Sequence, residues 1–149
     1  MANPMYGQNK YDDNADVYGN GKCDVISTST SYTLNAEESG SLVMVTPASG
    51  AGANSIKLPA HAAGLNFTVM LASAYDTAAV TIDSAAGNDW IGNIDAQTGT
   101  GDNSVGTDDK VSFGSATVAG DYVSIVSTGT KWVIVSSCSK VTTNGIVFA

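Results

Sequence analysis

The sequence predicts an all-β protein, and three observations carry that expectation. Gly, Ala, Ser, Thr and Val dominate, a composition of short strands joined by frequent turns. Apolar residues alternate with a period of two through several short runs, as in half-buried strands. Helical periodicity of useful length is missing. Many short strands in one chain of 149 residues imply a single antiparallel β-sandwich or jelly-roll-like barrel, with an order that sequence does not reveal.

Two parts are expected: an extended N-terminal arm over residues 1–26 and a β-sandwich body over 27–149. The arm is rich in Asn, Asp, Gly and Tyr, and its apolar residues Met1, Met5, Tyr6, Tyr11, Val17 and Tyr18 follow no structural period. A disordered tail would show the same composition. Scattered tyrosines, however, offer large contact area at small entropic cost, which suits a strap laid over a neighbouring subunit. Tyr6, Tyr11 and Tyr18 are its candidate anchors.

In the body, Ser31 to Leu34 reads as a short strand, Glu37 to Gly40 as a turn, and Ser41 to Thr46 as a second strand ended by Pro47. Asn54 to Leu58 alternates and stops at Pro59, which lacks a ladder donor. Leu65 to Ala72 is apolar enough on both faces to be partly covered on each. Ala79 to Ile82 follows, then a short apolar segment at Trp90, Ile91 and Ile94. Residues 95–109 read as the longest polar loop of the body. Val111 to Phe113 restarts the sheet, Ala116 to Val118 extends it, and Gly145 to Phe148 closes the chain. No solenoid repeat is evident.

The strongest local signal is Asp121 to Ser136, two alternating runs joined through Thr128 and Gly129. A tight hairpin there places Ser127 opposite Thr130, Ile125 opposite Trp132 and Val123 opposite Ile134 on a core face. Tyr122, Ser124, Val126, Lys131, Val133 and Val135 form the other face. That face is partly apolar, so another layer or subunit is expected to cover some of it.

Composition narrows the function. Charged residues are 13% of the chain, the formal net charge is −8, and all six cations are Lys. An acidic chain without Arg repels a polyanion, so nucleic acid is not an expected partner. No apolar run approaches the roughly 20 residues of a membrane-spanning helix, and the amino terminus lacks the pattern of a secretion signal, so a soluble, non-exported protein is expected. Cys23 and Cys138 form no CxxC pair and read as two thiols of a reducing compartment.

Catalytic equipment is sparse. His61 is the one histidine, in an expected loop, and no nucleophile motif accompanies it. Asp12, Asn14 and Asp16 begin like a calcium loop, but Val17 stands where the glycine belongs and Cys23 where the bidentate Glu belongs. Asp95, Asp102, Asp108 and Asp109 read as solvated loop carboxylates rather than a cation site or a glycosidase pair. The glycines at 19, 21, 50 and 52 complete no phosphate loop. Trp90, Trp132, Phe67, Phe113, Tyr122 and Phe148 could stack sugars, but their place in alternating runs favours core packing. The sequon at Asn66, Phe67 and Thr68 falls in a strand and reads as incidental. The expectation is therefore a protein that is not an enzyme, with no catalytic, cofactor or metal residues.

The succession YTLNAEESGSLVMV (32–45), SIKLPAHAAGLNFTVMLAS (55–73), AVTIDSAAGNDWIGNI (79–94), GDYVSIVSTGTKWVIVSS (120–137) and GIVF (145–148) resembles small β-structured virion proteins of tailed bacteriophages, especially marine and cyanobacterial phages. The resemblance implies a head decoration or cement protein, commonly a homotrimer. Such a protein is made in the host cytoplasm and sits on the capsid surface, bound to the major capsid protein. Tail-fibre, knob or adhesion modules that bind host glycans are the alternative, and a secreted carbohydrate-acting enzyme is a distant third. The family carries no active-site residues to transfer, and the arm falls outside the resemblance.

Overall fold

In the computed structural model, residues 24–49, 52–84, 89–95, 102–105, 108–140 and 145–149 are described, with 102–105 as backbone. Among the described residues are twelve strands: β1 (Val25–Thr28), β2 (Tyr32–Thr33), β3 (Leu42–Val45), β4 (Asn54–Lys57), β5 (Asn66–Leu71), β6 (Val80–Asp83), β7 (Trp90–Ile94), β8 (Asp102–Val105), β9 (Lys110–Phe113), β10 (Tyr122–Ser127), β11 (Trp132–Cys138) and β12 (Ile146–Phe148). They form a seven-stranded sheet in the order β1-β3-β5-β10-β11-β7-β8 and a five-stranded sheet in the order β12-β9-β6-β4-β2. The two inner faces share one core, so the all-β sandwich is as expected.

Both sheets are mixed rather than antiparallel. From β1 to β6 the chain alternates between the sheets, so that β1, β3 and β5 run parallel in one and β2, β4 and β6 run parallel in the other. The chain thus coils, although no repeat is legible in its residues. Paired residues are offset by 17 and then 26 positions in the first sheet, and by 24 and then 26 in the second, so no fixed period results. The later strands β9 to β12 pair antiparallel with their neighbours, except that β11 runs parallel to β7. At the far edges β8 lies beside β12, which helps to close that side of the sandwich.

Several local expectations need correction. β1 (Val25–Thr28) lies ahead of Ser31 to Leu34, the first individual strand read from the sequence. β8 lies inside the segment read as a polar loop. Residues 116–118 form no strand: Thr117 is buried, and its hydroxyl and amide both donate to the Gly114 carbonyl in a turn.

The central hairpin forms with its register shifted by two. Ser127 pairs with Trp132, Val126 with Val133 and Ile125 with Ile134. The loop is therefore Thr128 to Lys131, not a two-residue turn. Thr128 accepts the Lys131 amide on its side-chain oxygen at 3.1 Å and donates its own amide to the Lys131 carbonyl at 2.9 Å, while Gly129 takes φ +99°. A shift of two preserves the faces, since side chains alternate with that period. Val123, Ile125, Trp132 and Ile134 are all buried as expected. Beyond Ile134 a β-bulge leaves Val135 without an opposite residue and pairs Ser124 with Ser136.

The core centres on Trp90 and Trp132, paired across β7 and β11 and both fully buried. Phe67 packs its ring 6.1 Å from that of Trp132. Removing one indole from water stabilises the fold by on the order of 5 kcal/mol before side-chain entropy is counted. Gly92 allows β7 to approach β11: a Cβ there would lie 3.1 Å from both the Cβ and the carbonyl oxygen of Ile134.

Candidate functional site

Three polar side chains far apart in sequence meet under the central hairpin. His61 lies in the loop between β4 and β5, Asp89 stands one residue before β7, and Ser127 ends β10. The His61 Nε2 is 2.5 Å from the Asp89 Oδ2, and its Nδ1 is 3.3 Å from the Ser127 Oγ. The imidazole lies 5.3 Å from the Trp132 ring. An ionised carboxylate only accepts, so Nε2 carries the proton that faces Asp89. In the neutral ring Nδ1 is then the acceptor, and the Ser127 hydroxyl donates to it while accepting the Gly129 amide at 3.1 Å.

This order, hydroxyl to imidazole to carboxylate, is that of a nucleophilic triad. Access is not. Ser127 is 1% exposed and Asp89 2%, so neither side chain is open to solvent. One Ser127 lone pair is already occupied by the Gly129 amide, and 3.3 Å is a loose contact for proton transfer. Gly64 donates its amide to the Ser127 carbonyl, and Trp132 donates its amide to the Asp89 carbonyl. The cluster therefore pins the 61–64 loop, the start of β7 and the hairpin to one another. His61 was expected in a loop, and it is; its partners were not foreseen. They lie 28 and 66 residues away, and no local motif marks Asp89 or Ser127.

The other candidates are dispersed. Asp95 and Asp109 are exposed and Asp108 is half-buried. Among the described residues, no three His, Cys, Asp or Glu side chains converge as metal ligands. Trp90, Trp132, Phe67, Phe113 and Phe148 are buried in the core as expected, whereas Tyr122 is half-buried on the outer face. Cys138 is half-buried at the end of β11. Asp12, Asn14, Asp16, Cys23, and the arm tyrosines Tyr6, Tyr11 and Tyr18 lie outside the described residues. Among the described residues, no helix is long and apolar enough to cross a membrane.

Two further carboxylates have structural work. Asp121, 3% exposed, accepts the Val118 amide at 3.1 Å and the Lys140 amide at 3.2 Å, tying the turn before β10 to the end of β11. Glu38 accepts the Asn35 amide at 2.8 Å in a capping box around a short 3-10 turn, Ala36–Glu38, and accepts the Tyr32 hydroxyl at 2.5 Å. That hydrogen bond, with some desolvation and the nearby negative charge, raises the Tyr32 pKa above its usual 10.0. An open depression of about 380 Å³ is lined by Thr33, Lys57, Leu58, Asp83 and Ser84. Asp83 there accepts the Ser55 hydroxyl.

Compared with known protein families and with curated proteins, the chain matches none.

Proposed function

We propose that the protein is a structural component of a virion, a decoration or cement protein that binds the major capsid protein on the outer surface of a phage head and stabilises it, without catalysis. The observation that carries this reading is the coincidence of the phage-like phrases with structural strands. The five segments of the resemblance contain β2 and β3, all but the first residue of β4 and all of β5, β6 and β7, β10 and all but the last residue of β11, and β12. The burial of Ser127 and Asp89 adds support, since this triad-like cluster serves as a tie between loops. Burial of five of the six aromatic candidates counts against glycan stacking and so against the adhesion alternative.

A cement protein has to join neighbouring capsomers, which suits a rigid β body carrying a segment that orders on docking. In an oligomer several arms act together, and effective concentration raises the avidity of weak individual contacts. Tyr6, Tyr11 and Tyr18 are the proposed anchors. The test is co-sedimentation with empty, expanded phage shells, made with the native protein and with all three tyrosines replaced by Ser. The native protein is expected to sediment with the shells and the triple variant to remain in the supernatant while still folded. Native protein that ignores the shells overturns the decoration reading; a triple variant that binds at full affinity overturns the role of the arm.

A further inference from the structure

The two outer faces of the sandwich differ in chemistry. On the five-stranded sheet, Lys57, Asp83 and Lys110 stand side by side on β4, β6 and β9, alternating in sign. Such a row is compatible with water and with opposite-charge cross-strand pairing. The seven-stranded sheet is otherwise. On β1, β3, β5, β10, β11 and β7 its outward positions hold no charged residue, in a chain whose formal net charge is −8.

Apolar groups fill much of that face. One row crosses the sheet through Met44, Met70, Tyr122 and Cys138, all half-buried. A second passes through Val126, Val133 and Ile91. Ile91 is 38% exposed, Val135 59% and Val25 58%. The polar groups between them satisfy one another: the Thr68 and Ser124 hydroxyls lie 2.7 Å apart, and those of Tyr122 and Ser136 3.0 Å apart. Removing water from this face therefore leaves few unmatched donors or acceptors.

We propose that the outer face of the seven-stranded sheet is the surface through which copies of this chain associate. A charged partner finds no pairing group within these six strands. Two acidic copies, by contrast, meet at least electrostatic cost where neither bears a charge, with their charged faces turned away. Sheets stack face to face at about 10 Å, and six strands spaced by about 4.8 Å give a width of roughly 25 Å. With strands of about five residues the plane covers on the order of 400 Å² before side-chain relief, about half of the roughly 800 Å² of accessible surface per partner in a specific interface. The assignment concerns the body and stands whether or not the protein binds a phage shell.

The experiment measures the native mass of the full chain by sedimentation velocity over a range of concentrations, with circular dichroism to confirm folding. Val135→Glu and Ile91→Glu place like charges on the face at exposed positions, Thr81→Glu does so on the opposite face, and the triple tyrosine variant removes the arm anchors. The native protein is expected as a discrete oligomer. Each face variant is expected to weaken association at least tenfold, while Thr81→Glu and the triple variant keep the native mass. A native protein that is monomeric throughout, face variants of unchanged mass, or dissociation by Thr81→Glu or by the tyrosine substitutions overturns the proposal. Lost shell binding by the triple variant at unchanged mass would separate the arm from this surface.

Discussion

Replacing His61 by Ala tests whether the buried cluster is a structural tie. Asp89 is 2% exposed, and among the described residues His61 is its only side-chain hydrogen-bond partner. The substitution strands a carboxylate in the interior without its donor, and leaving a buried charged acceptor unpaired costs about 3 kcal/mol. Loss of the ring beside Trp132 adds up to about 1 kcal/mol. For a chain of this length each kcal/mol lowers Tm by roughly 2–4 °C, so His61→Ala is expected to lower it by about 6–16 °C. Adding Asp89→Asn removes the stranded charge and is expected to recover about 2 kcal/mol, making the double variant more stable than His61→Ala alone. Thermal melts and urea unfolding of the native protein, both single variants and the double variant complete the cycle. A fall of less than about 2 °C for His61→Ala, or strictly additive effects in the cycle, would refute the argument that His61 keeps Asp89 buried.

Gly92→Ala brings a Cβ to within 3.1 Å of Ile134 at φ +134°, and is expected to cost about 3 kcal/mol from backbone strain and crowding together. Gly40→Ala, at φ +93° with nothing within 4 Å, carries only the backbone part, about 1 kcal/mol; equal melting temperatures for the two would show that β7 does not approach β11 so closely. Tyr32 is expected to titrate above the usual tyrosine value because its hydroxyl donates to Glu38. A pKa raised in the folded state gives stability that is full below about pH 10 and is lost as pH rises through the folded value, so melting should decline there, and Tyr32→Phe should flatten that decline. Phenolate absorbance at the ordinary pKa, or an unchanged profile in Tyr32→Phe, contradicts this.

The inward set of the central hairpin was legible because alternation is local. A strand turns successive side chains to opposite faces, so Val123, Ile125, Trp132 and Ile134 could be assigned to one side before their partners were known. Their register was not, since Thr128 caps the turn with its own side chain and lengthens the loop to four residues. β8 escaped notice because Asp102 to Val105 has the polar composition of a loop, and becomes a strand by pairing with β7. β1, whose Val25, Ile26 and Thr28 favour a strand, gains its ladder from β3.

By itself, then, the sequence determined the all-β class, the inward faces of the main strands and the burial of Phe67, Trp90, Phe113, Trp132 and Phe148. Those properties follow from backbone periodicity and from the transfer of apolar groups out of water, which act residue by residue. Tertiary structure alone decided the parallel coil of β1 to β6, the contrast between the two outer faces, and the meeting of His61 with Asp89 and Ser127. Each joins residues distant along the chain, and the entropy of closing such loops changes slowly with their length, so nothing local distinguishes the partners that packing selects.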